Sequence, residues 1–120
     1  LDKALGLSDI VSLHLPLTQE TKQIINGKTL RKMKSTAMLI NTSRGELIDE
    51  ESLFIALREN VIAFSAQDVF SIEPPSHDEK LLTLENFILT PHAGAFTSEA
   101  GERMALYSTH NLIDMLNNGE

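Results

Sequence analysis

The stretch "AMLINTSRGELIDEESLFIALREN" (residues 37–60) places an apolar run, a polar loop and a helical pattern directly after one another. The run at 37–42 is continuous, which is typical of a strand buried on both sides of a sheet. Residues 49–60 begin with acidic side chains and then place Leu53 and Leu57 at helical spacing, which predicts an α-helix. A strand that passes through a short loop into a helix is the repeating unit of a parallel α/β sheet.

The same alternation continues on both sides of this stretch. Three more strands are predicted at residues 9–15, 61–70 and 86–92, a short helix at 26–33, and the end of another helix just before the first strand. A long helix is predicted after the last strand, with Thr97 or Ser98 as its N-cap and Gly119 as its end. The sequence therefore predicts an α/β fold, in which right-handed crossovers join about four parallel strands and a long helix closes the chain.

Composition limits the classes of function. The chain has 120 residues, 42% of them hydrophobic, which is enough for one globular domain with its own core. A net charge of −7 with scattered basic residues argues against nucleic acid and membrane as partners. The lack of cysteine rules out disulfides and is compatible with a cytoplasmic location. No membrane span or signal peptide is recognisable, and the start at Leu1 favours a piece of a longer protein.

Three of the predicted strands lead into side chains that can carry chemistry. Arg44 follows the second strand, Asp68 and Glu73 lie at and beyond the end of the third, and His92 ends the fourth. The carboxyl ends of parallel strands share one edge of a sheet, so these residues are expected to meet. An arginine that holds a carboxylate or polarises a carbonyl, beside a histidine paired with a carboxylate, suits proton transfer coupled to attack at a carbonyl.

Alternatives stay open at this point. Each of the four side chains, taken alone, is compatible with an ordinary surface or structural role. A hydrolase built on Ser43, His92 and Asp68 is a second hypothesis, although Ser43 is not in a G-x-S-x-G elbow. Residues 77–79 with His92 are candidate metal ligands, but that segment is typical of a solvated loop. The Gly-Lys-Thr sequence at 27–29 lacks the glycine that a phosphate loop needs five residues earlier, which favours a helix-opening turn.

Four segments resemble the D-isomer-specific 2-hydroxyacid dehydrogenase family in order and spacing. They are "SDIVSLHLPLTQETKQIIN" (8–26), "MKSTAMLINTSRGELIDEESL" (33–53), "DVFSIEPP" (68–75) and "LTPHAGAFTSEA" (89–100). The resemblance implies that residues 1–97 are the C-terminal half of a Rossmann-like dinucleotide-binding domain, and that residues 98–120 form a helix returning to a substrate domain. It also implies hydride transfer between NAD or NADP and a small D-2-hydroxy acid or 2-oxo acid.

The resemblance assigns a role to each of the four strand-end residues. Arg44 matches the arginine that holds the carboxylate and carbonyl oxygen of the substrate, for which a two-pronged fork is well suited. His92 matches the acid/base that exchanges a proton with the carbonyl oxygen, and Glu73 matches its carboxylate partner, which favours the protonated imidazole. Asp68 matches the aspartate that accepts a hydrogen bond from the nicotinamide carboxamide.

The resemblance also outlines one wall of a cofactor cleft. The wall follows the ends of the first two strands and the loop after His92, where the small Gly94 lets the backbone approach a ligand. No metal is implied. The implied cofactor-binding set is Leu15, Pro16, Thr42, Ser43, Arg44, Asp68, His92 and Gly94.

Two kinds of departure limit what the resemblance implies. There is no G-x-G-x-x-G and no acidic residue after a following strand, so the pyrophosphate and adenosine-ribose sites of a dinucleotide fold are missing. Phe64, Gln67 and Phe96 also stand where the family usually has a glycine, an aliphatic residue and a small residue. We therefore expect the 120 residues alone to bind NAD weakly or not at all and to be inactive. A homodimer is expected for the longer protein, and an NAD-sensing, corepressor-like binding module is the alternative function.

Overall fold

The computed structural model, which describes residues 1–119, contains one four-stranded parallel sheet with the strand order β1-β2-β3-β4. In register, Ile10 lies beside Met38, and Met38 lies beside Phe64. The predicted parallel α/β fold with a long C-terminal helix is confirmed. The strands are β1 (Ile10–Leu13), β2 (Met38–Asn41), β3 (Phe64–Gln67) and β4 (Phe87–Leu89).

Helices and tight turns connect the strands. A short helix precedes β1, two helices lie in the connections that follow β1 and β2, and a 21-residue helix follows β4. Two 3₁₀ turns complete the connections, one between β2 and β3 and the other between β3 and β4. The helices are α1 (Asp2–Leu7), α2 (Gly27–Leu30), α3 (Glu50–Arg58) and α4 (Ser98–Asn118), and the 3₁₀ turns are Gly45–Leu47 and Lys80–Thr83.

The observed elements are shorter than the apolar patterns from which they were predicted. The pattern at 61–70 contains only four strand residues, because Val61 first turns back to donate to the Ala56 carbonyl at 2.8 Å. The helix predicted at 26–33 ends at Leu30 and continues as a turn, although Leu30 and Met33 are both buried as expected. Apolar residues therefore extend into the loops wherever a loop also contributes to the core.

Side chains fix where the helices begin. Asn26 accepts hydrogen bonds from the backbone N–H groups of residues 28 and 29, and Thr29 accepts one from Asn26, which makes a capping box. The Gly-Lys-Thr sequence is therefore a helix-opening turn, as expected. Asp49 caps α3, Thr97 caps α4, and Gly119 ends α4 with a φ of +70°.

Only one face of the sheet is covered. Leu39 is fully buried in a core that includes Leu30 of α2 and Leu53 of α3. On the opposite face, Met38 is 45% exposed and Ile88 is 53% exposed. The prediction that β2 is buried on both sides is wrong, because consecutive strands joined by right-handed crossovers place their connections on the same face.

Helix α4 extends away from the rest of the molecule. None of its described side chains is buried, and the molecule measures 58 × 34 × 25 Å along its principal axes. Among residues 1–119, no helix is both long enough and apolar enough to cross a membrane.

Candidate active site

A histidine and a glutamate from two neighbouring strand ends form a hydrogen-bonded pair. Nδ1 of His92, which follows β4, lies 2.7 Å from Oε2 of Glu73, which follows β3. The other oxygen of Glu73 accepts the backbone N–H of Phe70 at 2.8 Å, which fixes the carboxylate. His92 itself has a φ of +52°, a left-handed conformation that is uncommon for residues other than glycine and is concentrated at functional sites.

The hydrogen bonds determine the protonation state of Glu73. The bond from His92, followed by the one from the Phe70 N–H, holds the pKa of Glu73 below its ordinary value of about 4.3. Glu73 is therefore ionised at neutral pH and only accepts, so Nδ1 of His92 is the donor. Nε2 makes no hydrogen bond within residues 1–119 and is free to exchange a proton with a bound molecule.

Arg44 shares a cleft with this pair. The cleft has a volume of about 240 Å³ and is lined by Arg44 and Gly45 on the β2 side and by Phe70, Glu73 and His92 on the other. Nη1 of Arg44 donates to the Ser43 carbonyl at 2.6 Å, and no carboxylate of the described residues forms a salt bridge with the guanidinium. Three of the four side chains predicted to meet therefore line the same cleft, with the guanidinium available for an anion.

A second cavity adjoins the imidazole. It has a volume of about 340 Å³, and Glu73 and His92 line it together with Leu89, Pro74 and Pro75. The hydrogen-bonded pair is consequently bordered by apolar surface as well as by the cleft.

Asp68 lies beneath the loop that carries His92 instead of lining the cleft with Arg44. It is only 6% exposed, and its two oxygens accept the backbone N–H groups of Ala93 at 2.9 Å and Gly94 at 2.8 Å. The Thr90 hydroxyl also donates to it. These donors, first of all Thr90, lower the pKa of Asp68, so it remains a carboxylate that holds residues 90–94 in place.

Gly94 fits closely against this carboxylate. A Cβ atom at position 94 would lie 2.9 Å from Oδ2 of Asp68, which is shorter than real Cβ contacts. The small residue is therefore needed for the hydrogen bond between the Gly94 N–H and Asp68. Sequence reasoning named Asp68 and Gly94 for the cofactor but missed Thr90, whose only signal was its position at the end of a strand next to β3.

The remaining predicted cofactor residues lie on the carboxyl rim of β1 and β2. Leu15, Pro16 and Thr42 are exposed there, and the Ser43 hydroxyl donates to the Leu13 carbonyl at 2.8 Å, which ties the two rims together. Ser43 is thus hydrogen-bonded away from the imidazole, and the hydrolase hypothesis has no nucleophile–base contact to support it.

The proposed metal ligands do not assemble either. Within residues 1–119, no three His, Asp or Glu side chains are close enough together to hold a metal ion. Residues 77–79 and His92 therefore do not form a site in this structure.

Two further residues contact the loop after β3 and were not singled out from the sequence. Gly45 is packed directly against the backbone of the loop after β3, where a Cβ atom would lie 2.0 Å from the Phe70 carbonyl carbon. Oε1 of Glu50, the first residue of α3, accepts the backbone N–H of Ser71 at 2.8 Å. Their signals in the sequence were weak, because both contacts join segments that are distant along the chain.

Known proteins match the chain along most of its length. Residues 1–94 match the family described as "D-isomer specific 2-hydroxyacid dehydrogenase, NAD binding domain". A glyoxylate reductase from Thermofilum pendens is 50% identical over 116 residues, which are 97% of this chain and 34% of the relative. The chain thus spans about a third of the length of that curated relative.

Solved structures agree with the sequence match. The NAD-complexed D-isomer specific 2-hydroxyacid dehydrogenase of Lactobacillus delbrueckii ssp. bulgaricus superposes with a TM-score of 0.86 at 30% identity, over 98% of this chain and 39% of that one. An acyclic imino acid reductase in complex with NADPH and D-Arg superposes with a TM-score of 0.90 at 34% identity, over 98% and 37%. The sequence match and the shared fold together show that the chain belongs to the D-isomer-specific 2-hydroxyacid dehydrogenases and forms part of their NAD-binding domain.

Proposed function

We propose that this chain supplies the proton-transfer and substrate-binding side chains of an enzyme that moves a hydride between NAD(P) and a small D-2-hydroxy acid or 2-oxo acid. The observation that carries the proposal is the single cleft lined by Arg44, Glu73 and His92. A carboxylate-paired imidazole beside a guanidinium that has no carboxylate partner within residues 1–119 suits reduction of a carbonyl next to a carboxylate.

Each of the three side chains has a distinct role. Arg44 binds the substrate carboxylate and stabilises the charge that develops on the carbonyl oxygen. His92 donates a proton from Nε2 to that oxygen during reduction and removes it during oxidation. Glu73 keeps Nδ1 protonated and holds the imidazole plane, because its carboxylate accepts the Nδ1–H at 2.7 Å.

The residues present fit the nicotinamide end of the cofactor. Oδ2 of Asp68 accepts one hydrogen bond from the protein, from Gly94, and keeps capacity for another from a carboxamide. Leu15 and Thr42 are exposed on the adjoining rim. The cofactor, when bound, supplies or accepts the hydride. A glycine-rich loop for the pyrophosphate is not among these 120 residues.

We further infer that the chain acts as one part of a longer cytoplasmic protein. Residues 1–97 are the C-terminal half of its dinucleotide-binding domain, and residues 98–120 return to the substrate domain. Ser98–Asn118 of that segment are helical, and residue 120 lies outside the described residues. The family match over residues 1–94 and the lack of buried side chains among the described residues of α4 support this division. The longer protein is expected to be a homodimer, and the 120 residues alone are expected to be inactive; measurable reductase activity of this chain by itself would contradict that expectation.

The test is hydride transfer by the full-length protein with glyoxylate, hydroxypyruvate or D-lactate. His92→Ala is expected to lower kcat by about 100-fold to 10,000-fold, the usual effect of removing a positioned acid, with cofactor binding retained. His110→Ala on α4 is the matched control and is expected to keep full activity. A full-length protein that binds NAD(H) without turnover would instead support the corepressor-like binding module and overturn the proposal.

A further inference from the structure

We propose that Glu50 is a positioning residue that fixes the His92–Glu73 pair relative to Arg44. The inference rests on the proposed function, because it concerns the geometry of the same cleft. Glu50 does not line the cleft and acts through the peptide that joins Phe70 to Ser71, which does line it.

Carboxylates from two separate parts of the chain hold this peptide and the one directly before it. The Phe70 N–H donates to Oε1 of Glu73 at 2.8 Å, and the Ser71 N–H donates to Oε1 of Glu50 at 2.8 Å. One of these carboxylates belongs to the imidazole pair and the other to the first turn of α3. Charge-assisted hydrogen bonds therefore attach the loop to the acid/base pair at Phe70 and to helix α3 at Ser71.

The backbone next to Arg44 packs against the same peptide. Gly45 packs so closely that a Cβ atom would lie 2.0 Å from the Phe70 carbonyl carbon and 2.2 Å from the Ser71 nitrogen. The backbone that carries Arg44 therefore abuts the segment that Glu73 and Glu50 hold. Any displacement of the peptide changes the separation between the guanidinium and the imidazole.

Glu50 lies at the start of a firmly held helix and connects that helix to the Phe70–Ser71 peptide. The helix that it begins is capped by Asp49, whose N–H donates to the Ile25 carbonyl at 2.8 Å, and is anchored by the fully buried Leu53. Beyond the buried Phe70 the loop has little apolar anchoring, since Ile72 is 77% exposed. The hydrogen bond from Ser71 to Glu50 thus links the exposed part of the loop to a fixed element.

Three variants of the full-length protein test the role. Glu50→Ala removes the acceptor for the Ser71 N–H, and kcat is expected to fall about tenfold or more, because small displacements of reacting groups have large effects on rate. The KM for the nicotinamide cofactor is expected to stay unchanged, since Glu50 does not touch the cofactor rim. Glu50→Gln keeps an oxygen that accepts the same hydrogen bond and is expected to restore most of kcat.

Glu51→Ala is the matched control. It removes the same charge from the same helical turn and breaks an exposed ion pair with Lys80 at 3.1 Å, an interaction that contributes little to stability. Its kcat is expected to stay within about twofold of the parent. Full activity of Glu50→Ala, or a Glu50→Gln protein as impaired as Glu50→Ala, would overturn the positioning role.

Hydrogen exchange of the Ser71 amide separates this inference from the proposed function. Loss of the acceptor is expected to accelerate exchange at Ser71 by about tenfold or more in Glu50→Ala and to leave it unchanged in the Gln and Glu51→Ala variants. If the unmodified full-length protein transfers no hydride, the proposed function fails and the exchange rates alone decide. If the Ser71 amide is as protected from exchange in Glu50→Ala as in the parent, Glu50 does not hold the loop and the inference is refuted.

Discussion

At the scale of single residues, two carboxylates organise the site by accepting donors from the backbone. Glu73 takes the Phe70 N–H as well as the imidazole, and Asp68 takes two N–H groups and the Thr90 hydroxyl. Each carboxylate therefore gives a loop its shape in addition to any contact with a ligand. The hydrogen bonds that each carboxylate accepts lower its pKa, so the shape of these loops depends on pH.

The pH dependence of stability has a definite sign. The pKa values of Glu73 and Asp68 are lowered in the folded chain, so the unfolded state binds protons more tightly. Their contribution to stability is fully present above their ordinary values of about 4 and is lost as the pH falls through the lower folded values. Urea denaturation between pH 6 and 3 is expected to show a falling free energy of unfolding.

Removing one carboxylate tests whether Glu73 contributes to this loss of stability at low pH. In Glu73→Gln the free energy of unfolding is expected to fall less steeply between pH 6 and 3 (the acid limb), because the variant has one fewer proton-linked carboxylate. Glu99→Gln removes a carboxyl that makes no hydrogen bond within residues 1–119 and is expected to leave the limb unchanged. An acid limb of the same slope in Glu73→Gln and in the parent would show that other groups carry the effect.

The strand-end residues were predictable because their meeting depends only on strand order and direction. Arg44, Glu73 and His92 follow separate parallel strands, and parallel strands bring their carboxyl ends to one edge. Glu50 and Thr90 were not predictable in the same way. Their roles depend on side chains meeting a particular N–H or carboxylate across loops, which local patterns do not specify.

At the scale of elements, β2 shows what an apolar run does and does not determine. The run at 37–42 correctly predicted a strand, and the acidic start of the next segment correctly predicted α3. It did not predict which side chains are buried, since Met38 is 45% exposed and Leu39 is fully buried. Burial on the second face depends on which layer the connections supply, and that is a property of topology.

Neighbouring residues of β2 should therefore differ sharply in stability cost. Leu39→Ala is expected to lower the free energy of unfolding by about 2–5 kcal/mol, because it leaves a cavity in the core. Met38→Ala, one residue earlier on the open face, is expected to cost less than about 1 kcal/mol. Urea denaturation of the two variants is the measurement, and equal costs would contradict the one-sided burial of β2.

At the scale of the whole molecule, the open face of the sheet is an apolar surface made by several strands. Ile10, Met38 and Ile88 are 59%, 45% and 53% exposed on it. Contiguous apolar surface of this kind favours association when nothing covers it. The same strands have buried side chains on the other face, so the exposure arises from the layer arrangement and not from a loosely packed core.

We expect the 120-residue chain by itself to associate in a concentration-dependent manner through this face. Ile88→Lys is expected to reduce the association, measured by sedimentation velocity, without lowering stability, because the side chain is already 53% exposed. Leu82→Lys, at a residue that is 44% exposed in a 3₁₀ turn outside the face, is the control. Equal effects of the two substitutions would argue against the sheet face as the contact.

The consecutive strand order also has a consequence for synthesis. Each strand pairs with the strand that precedes it in sequence, β2 with β1, β3 with β2 and β4 with β3. Within the sheet, each of β2, β3 and β4 finds a neighbour that has already been synthesised. Each strand can therefore join the sheet as it leaves the ribosome, and only the chain between neighbouring strands has to close. The slow, long-range pairing that delays many parallel sheets is thereby divided into three modest steps taken in the order of translation.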